Sequence, residues 1–265
     1  MPPDPERVRI ETGDGVASVR LTRGDKHNGL DWTMFESLNA ALDDLEAAGE
    51  DVRAVVLSGE GPSFCAGLDF KSFMSNEGGG DLLGQGFAAA SDSPANFAQR
   101  VAYGWRELEV PVVAALQGNC LGGGLQIALG ADIRIAAPGT RMSVMEIRYG
   151  LIPDMSLSRT LPRLVRDDVA RELTYTGRVV EVDEALALGL VTRIADDPLA
   201  AANELAAQIA SASPSAIRSA KRLWTESWHA SAADGLALEE ELQRALIGGA
   251  DQAAAVGAAL GDEAR

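Results

Sequence analysis

Cysteine and histidine are scarce in this sequence, which contains two of each among 265 residues. Two cysteines are too few for a disulfide framework, and neither has a histidine in a recognisable catalytic pairing. His27 and His229 show no metal-ligand spacing, so we predict no metal site. Cys65 and Cys120 are expected to be small packing residues in a reducing compartment.

Long apolar runs and an excess of positive charge are also missing. No run approaches the roughly 18 apolar residues that span a bilayer, and residues 1–7 lack the features of a secretory signal. We therefore expect a cytoplasmic protein with no membrane partner. The net charge of −16 disfavours nucleic acid as a partner, because the long-range field repels polyanions. A small anionic ligand is still compatible with this charge, since salt screens charges over roughly 8 Å.

Strand-like and helix-like segments alternate along the chain, which predicts an α/β body followed by helices. The 46% hydrophobic content allows a substantial core in one large domain, or in one domain with an appendage. We place the α/β body at residues 1–195 and the helical part at 196–265. The predicted helices before residue 196 are 32–46, with Asp31 as N-cap, 93–108, 157–165 and 183–188. The predicted strands are 16–22, 52–58, 111–116, 132–137, 141–144 and 189–194. The glycine-rich stretch 76–86 is predicted to be a mobile surface loop.

Two glycine-bearing segments carry the main functional signal. The first is Phe64–Asp69 and the second is Gly118–Gln126, which contains three consecutive glycines. Each follows an apolar run typical of a strand, so each lies where a strand gives way to a turn or a helix. Glycine lets a ligand approach the main chain closely, and unpaired N–H groups at a helix start favour an oxygen that acquires negative charge. The two segments together predict an oxyanion hole.

Further motifs accompany the glycine segments in a specific order. They are Arg23 with Asn28 and Leu30, Ser63 to Lys71, Gly118 to Ala136, Glu146 with Gly150-Leu151 and Pro153, Thr176-Gly177, and Glu184-Ala185 with Gly189-Leu190-Val191. Their order and spacing resemble the crotonase superfamily, the enoyl-CoA hydratase/isomerase family. The resemblance runs from about residue 8 to about residue 250. It implies an α/β fold, a crotonase-like spiral of ββα units with an α-helical C-terminal region, and assembly as a homotrimer or homohexamer.

The resemblance also implies an acyl-CoA thioester as the bound molecule, with coenzyme A as part of the substrate and no separate cofactor. Family members hold the thioester oxygen with two backbone amides, which here would be the N–H groups of Leu68 and Gly123. Aligned donors stabilise an enolate-like intermediate, and one donor is typically worth roughly 3 kcal/mol. The alternative for these segments is that the glycines only permit tight turns and close helix packing.

The acid–base positions depart from those of the family's hydratases, which use two glutamates through one water. The first position is Gln126 and the second is Glu146, and a glutamine cannot accept a proton at neutral pH. Asp154 stands where hydratases usually carry glycine, which resembles the dienoyl-CoA isomerase branch. The resemblance implies Glu146 as the base at C2 and Asp154 as the acid at C6 of the acyl chain.

Alternative roles stay open for these three residues. Asp154 could cap the next helix, and Glu146 alone could move a proton between C2 and C4, as in the monoene isomerases of the family. Gln126 is either a packing residue or a hydrogen-bond partner that orients Glu146. An apolar wall around the carboxylates would raise at least one pKa, so that a protonated acid exists near neutrality.

The resemblance places the nucleotide end of the substrate near the first loop and the segment after the first glycine motif. A lysine there could meet a phosphate as a point charge or could be a solvated surface residue. A C-terminal lysine could contact the coenzyme A of the same subunit or of a neighbouring one. The candidate substrate contacts are Lys26, His27, Ala66, Asp69, Lys71, Gln126 and Lys221.

We therefore predict an acyl-CoA double-bond isomerase that converts 3,5-dienoyl-CoA to 2,4-dienoyl-CoA, or 3-enoyl-CoA to 2-enoyl-CoA. The nearest alternative is an enoyl-CoA hydratase of fatty-acid β-oxidation that tolerates Gln126. The alternative from another class is a catalytically silent acyl-CoA-binding protein.

Overall fold

The structure, a computed structural model, describes residues 7–74, 84–89 and 93–262. Within these ranges the strands form a six-stranded sheet and a three-stranded sheet. The strands are β1 (Val8–Gly13), β2 (Val16–Leu21), β3 (Ala54–Gly59), β4 (Val112–Leu116), β5 (Asn119–Leu121), β6 (Ile133–Ala136), β7 (Arg141–Ser143), β8 (Val180–Glu181) and β9 (Arg193–Ile194).

The six-stranded sheet has the order β1-β2-β3-β4-β6-β9, and the smaller sheet has the order β5-β7-β8. In the larger sheet only β1 and β2 pair antiparallel; the other pairs are parallel. Residues 54–58 of β3 are all buried, as expected for a central parallel strand with both faces covered. The apolar run that predicted this strand therefore reflects two packed faces rather than one.

Helices surround both sheets and supply every described element after β9. They are α1 (Trp32–Ala47), α2 (Phe70–Met74), α3 (Phe97–Glu107), α4 (Gly123–Gly130), α5 (Leu157–Thr160), α6 (Asp167–Thr176), α7 (Val182–Leu188), α8 (Pro198–Ser211), α9 (Pro214–Ser227), α10 (Ala232–Leu246) and α11 (Ala250–Asp262).

The starts of α1 and α3 are set by side-chain caps. Asp31 accepts a hydrogen bond from the Met34 N–H at 2.8 Å, which confirms the predicted N-cap of α1. Helix α3 begins at Phe97 rather than at the predicted Ser93. The reason is a capping box, in which Asn96 and Gln99 each accept a hydrogen bond from the other's backbone N–H.

Two other predicted elements are shorter than the sequence indicated. The helix predicted at 157–165 is helical only to Thr160 and continues as a 3₁₀ turn, because Pro162 has no N–H to donate. The strand predicted at 189–194 is reduced to β9. Gly189 has a φ of +90°, and the Leu190 and Val191 N–H groups both bond to the Ala185 carbonyl at the end of α7.

The two faces of the large sheet are covered by different helices. One face packs on α1, α3 and α4 in a continuous core that includes Phe35 and Trp105. The opposite face packs on α8 through Ala202 and Ala206. Helix α8 thus packs on the sheet, whereas α9 and α10 pack on each other. The predicted boundary between the α/β body (1–195) and the helical part (196–265) stays a prediction.

Part of the predicted surface loop, residues 76–83, lies outside the described residues, so that prediction is not tested. Within the described ranges, no helix combines the length and the apolar character needed to cross a bilayer.

Candidate active site

The two glycine-bearing segments lie side by side and pair through their main chains. The Cys65 N–H donates to the Asn119 carbonyl at 3.1 Å, and the Leu121 N–H donates to the Cys65 carbonyl at 3.0 Å. Cys65 and Cys120 are buried free cysteines, and burial raises the pKa of the Cys65 thiol to about 12. Both cysteines are therefore packing residues between the two segments, as the sequence indicated.

Two glycines in these segments adopt backbone conformations that other residues rarely take. Gly67 has a φ of +86°, and a Cβ there would lie 2.7 Å from the Leu121 carbonyl oxygen and 3.5 Å from the Gly123 nitrogen. Gly122 has φ 53° and ψ −124° and precedes the first residue of α4. Since a side chain at Gly67 would fill the gap between the segments, glycine is required for their close approach.

The N–H groups of Leu68 and Gly123 are the two predicted oxyanion donors. Neither donates a hydrogen bond to any residue that the structure describes. Gly123 is the first residue of α4, where backbone N–H groups have no partner within the helix. Both residues line one cavity. Two backbone donors are therefore available on the same cavity wall.

This cavity, which we call the catalytic cavity, has a volume of about 240 Å³. Its wall is mostly apolar, and Phe70 and Tyr149 stack across one side with ring centroids 4.3 Å apart. Besides the phenol of Tyr149, the polar side chains in its lining are Gln126, Glu146 and Asp154. The three acid–base positions singled out in the sequence are thus brought together.

Gln126 is held in one orientation by two hydrogen bonds. Its Oε1 accepts from the Met155 N–H at 2.9 Å, so its amide nitrogen faces the other way and donates to Glu146 Oε1 at 2.7 Å. The side chain is 1% exposed. Of the two roles left open by the sequence, the structure supports the hydrogen-bond partner that orients Glu146.

Glu146 begins a 3₁₀ turn that follows β7 and is 9% exposed. A Cβ on Gly122 would lie 3.5 Å from its Oε1, so the carboxylate sits against the second glycine segment. Its other oxygen, Oε2, is buried and has no hydrogen-bond partner among the described residues. Burial raises the pKa of Glu146; the Gln126 hydrogen bond opposes the rise and the Asp154 charge adds to it.

Asp154 lines the catalytic cavity from the loop before α5. Partial burial raises the pKa of its carboxyl group. The N-cap position of α5 is Ser156, and the helix has no side-chain cap. The helix-cap interpretation of Asp154 is therefore wrong, and its carboxylate is left facing the cavity region.

The first loop is tied to the first glycine segment. His27 is exposed, and its Nδ1 lies 2.9 Å from the Ser63 hydroxyl. The Ala66 N–H donates to the His27 carbonyl at 2.9 Å, and Ala66 lines the catalytic cavity. Lys26 is exposed in the same loop, and Lys71 is exposed on α2. Lys26 and His27 therefore lie in the loop tied to the first glycine segment, and Lys71 lies two residues after that segment.

Asp69 contributes to structure rather than to the cavity lining. Its carboxylate accepts from Arg23 at 2.8 Å and from the Ser72 N–H at 3.2 Å. Although burial acts in the opposite direction, the Arg23 guanidinium holds the pKa of Asp69 below its ordinary value. Arg23 also bonds the Gly29 carbonyl, so this pair fastens the first loop to the start of α2.

Lys221 is not brought to the catalytic cavity. It is 7% exposed on α9, and its Nζ lies 2.5 Å from Asp132 Oδ2 and 3.3 Å from the Trp105 carbonyl. Burial lowers the pKa of its ammonium group, against the attraction of Asp132. Within this chain Lys221 therefore forms an ion pair with the partly exposed Asp132, just before β6, in place of the predicted contact with coenzyme A. A contact with the coenzyme A of a neighbouring subunit stays a prediction.

Sequence reasoning missed the donor that fixes Gln126. That donor is the backbone N–H of Met155, and a backbone group carries no residue-type signal. It also missed the stacking of Phe70 on Tyr149, which joins residues far apart in the chain. The described residues contain no cluster of three or more His, Cys, Asp or Glu side chains arranged to hold a metal ion.

Comparisons with known proteins show the family of this chain. The family model described as Enoyl-CoA hydratase/isomerase matches residues 11–258. Human mitochondrial methylglutaconyl-CoA hydratase is 31% identical over 89% of this chain and 69% of its own length. Human mitochondrial Delta(3,5)-Delta(2,4)-dienoyl-CoA isomerase is 33% identical over 82% of this chain and 67% of its own length.

Solved structures give the same result for the fold. The crystal structure of enoyl-CoA hydratase from Bacillus anthracis superposes with a TM-score of 0.86 and 29% identity, covering 97% of this chain and 96% of that one. The predicted crotonase-like α/β fold with a helical C-terminal region is confirmed. The chain belongs to the enoyl-CoA hydratase/isomerase family of the crotonase superfamily.

Proposed function

We propose that this protein converts a 3,5-dienoyl-CoA to the 2,4-dienoyl-CoA through a thioester enolate. One observation carries the proposal: Glu146 and Asp154 line a single cavity together with the free N–H groups of Leu68 and Gly123. Gln126, which contacts Glu146 in that lining, has no acid–base capacity at neutral pH.

The two N–H groups are the proposed oxyanion hole. Removing a proton from C2 places negative charge on the thioester oxygen, and aligned donors in an apolar cavity stabilise that charge. One donor of this kind is worth roughly 3 kcal/mol. Since the donors are backbone groups fixed by the pairing of the two segments, they need little reorganisation during the reaction.

Glu146 is the proposed base. Its Oε2 is unpaired among the described residues, whereas its Oε1 is held by Gln126. One oxygen is therefore oriented and the other is available to a proton. The raised pKa of Glu146 brings the carboxylate closer to the operating pH, where a general base works best.

Asp154 is the proposed acid. Loss of the C2 proton gives an enolate conjugated with both double bonds, and a proton delivered to C6 moves them to the 2,4 positions. C2 and C6 are too far apart for one carboxyl group to serve both. The raised pKa of Asp154 increases the protonated fraction that such a donor needs. The similarity to the human dienoyl-CoA isomerase supports this assignment.

No oxidation or reduction occurs in this reaction, so we propose that it needs no cofactor besides the coenzyme A of the substrate. We also propose that the nucleotide end lies near Lys26 and His27, in the loop tied to the first glycine segment, and near Lys71, two residues after that segment. Assembly as a homotrimer or homohexamer is part of the same proposal.

Hydration of a 2-enoyl-CoA is the second candidate, because relatives such as the human methylglutaconyl-CoA hydratase carry that name. The two reactions separate when the purified protein is incubated with 2-enoyl-, 3-enoyl- and 3,5-dienoyl-CoA while absorbance is followed. An isomerase of the proposed kind brings the diene of the 3,5-dienoyl substrate into conjugation with the thioester carbonyl, which creates absorbance at longer wavelength. Loss of the 2-enoyl signal alone would instead support a hydratase, and no change with any substrate would support a silent binder.

A further inference from the structure

A second pocket opens beside the catalytic cavity and shares Ile152 and Asp154 with it. Its volume is about 410 Å³. Whereas the catalytic cavity is mainly apolar, the lining of this pocket is rich in polar side chains. Those that matter here are Gln99, Tyr103, Ser156, Ser158 and Arg159.

Ser156 is an unusual residue in this lining. It is nine-tenths buried, and its hydroxyl has no hydrogen-bond partner among the described residues. A buried hydroxyl without a partner costs free energy. Ser156 also has a φ of +72°, which strains a residue other than glycine, and its side chain does not cap α5. Neither the fold nor the helix explains a serine here.

Arg159 adds a cation to the same pocket. Its guanidinium has no carboxylate or carbonyl partner among the described residues, in a chain with a net charge of −16. The guanidinium groups of Arg106 and Arg159 lie close enough to repel each other. The other charged or titratable groups that act on Arg106 are Asp132 and Tyr103. The only anionic side chain in the pocket lining is Asp154.

We propose that this pocket binds a carboxylate at the far end of the acyl chain, so that the preferred substrate is the coenzyme A thioester of a dicarboxylic acid. The proposal rests on the proposed function, because it needs an acyl chain that runs past Asp154. Arg159 binds the carboxylate through charge-assisted hydrogen bonds. The Ser156 hydroxyl is buried beneath the pocket surface, and a rotation of its side chain would bring it to the carboxylate as a second donor. Asp154 is the acidic side chain of this lining, so the Arg159 charge has to outweigh its repulsion whenever Asp154 is ionised.

The test is equilibrium binding of two unreactive thioesters of equal chain length, suberoyl-CoA and octanoyl-CoA, measured by calorimetry. They differ only in the carboxylate or methyl group at the far end. We expect suberoyl-CoA to bind about tenfold more tightly, a difference of about 1.4 kcal/mol. Arg159→Gln should reduce this ratio to about one, while Arg166→Gln, on an exposed residue paired with Asp168, should leave it unchanged.

Ser156→Gly provides an independent variant. Glycine tolerates the positive φ, so this variant should unfold at a higher temperature while it loses part of the preference for suberoyl-CoA. A merely structural serine would show the stability gain without the loss of preference.

Equal binding of both thioesters to the unaltered protein, or a preference that survives in Arg159→Gln, would overturn the inference and leave the proposed function intact. Failure to bind either thioester would overturn both.

Discussion

Charged side chains that are wholly or partly removed from water have different surroundings in two regions of this molecule. Beside the first glycine segment, Arg23 contacts Asp31 at 3.2 Å and Asp69 at 2.8 Å, and under α9 Lys221 contacts Asp132 at 2.5 Å. In the catalytic cavity no cation among the described residues pairs with Glu146 or Asp154, and burial raises the pKa of both. The paired charges fasten segments together, whereas the unpaired carboxylates can gain and lose protons.

The difference has an energetic basis. Desolvating a carboxylate without a cation is unfavourable, and a protein keeps such a group only when the rest of the fold is stable enough to hold it. Removing a carboxylate from the cavity should therefore reduce activity without reducing stability. Removing one partner of an ion pair that fastens two segments should instead reduce stability without directly reducing activity.

The largest expected effect is that of Glu146→Gln on the dienoyl reaction. Replacing the proposed base with a group that cannot accept a proton should lower kcat by about 10³-fold, within the range of general acid–base contributions. Binding of octanoyl-CoA should change little, because the shape of the side chain is preserved. Glu204→Gln, on an exposed residue of α8, is the matched control. Full activity in Glu146→Gln would remove Glu146 from the mechanism.

Lys221→Ala should have the next largest effect, on stability. Truncating the buried Lys221 side chain removes the packing of its stem and leaves the partly exposed Asp132 without its cation, which together should lower the free energy of unfolding by up to about 3 kcal/mol. The neighbouring Arg222→Ala removes exposed ion pairs and should cost less than about 1 kcal/mol. Denaturant titration measures both. A Lys221→Ala protein that is as stable as its control would contradict the role assigned to the pair.

Asp154→Asn should lower the rate with a 3,5-dienoyl-CoA by about 10²-fold, because protonation at C6 loses its donor. Isomerisation of a 3-enoyl-CoA does not involve C6 and should change much less. Rates with the two substrates are compared on the same preparation. Equal small reductions with both substrates would show that Asp154 has no part in proton delivery.

The smallest effect concerns the pH dependence of stability. The pKa of Glu146 is raised in the folded state, so the folded protein holds this proton more tightly than the unfolded chain. The stabilisation that comes from this bound proton is therefore complete at pH values below 4.5, the ordinary pKa of the group, and is lost as the pH rises through the pKa of the folded state. Glu146→Gln should accordingly gain about 1 kcal/mol of unfolding free energy at neutral pH and less in acid. A pH-independent difference would contradict the pKa shift.

Much of this fold follows from local signals in the sequence. The Asp31 cap of α1 and the buried run of β3 were predicted because capping and apolar patterning act over a few residues. Helix α3 and strand β9 were misjudged at their ends, where the Asn96 capping box and the turn at Gly189 decide the boundary.

The candidate site was only partly predictable for a related reason. The glycine segments, Glu146 and Asp154 were found because their residue types carry chemistry. The orientation of Gln126 depends on the Met155 backbone, and the burial of Lys221 depends on Asp132, which is distant in sequence. Contacts of these two kinds leave no pattern in a single sequence.

The most direct test of the central claim is a crystal structure of the protein with a bound unreactive acyl-CoA. The account predicts that the thioester oxygen lies within about 3 Å of the nitrogens of both Leu68 and Gly123. Glu146 should then lie beside C2, and Asp154 should lie farther along the chain. A thioester oxygen out of reach of both nitrogens, or an acyl chain outside the catalytic cavity, would contradict the account.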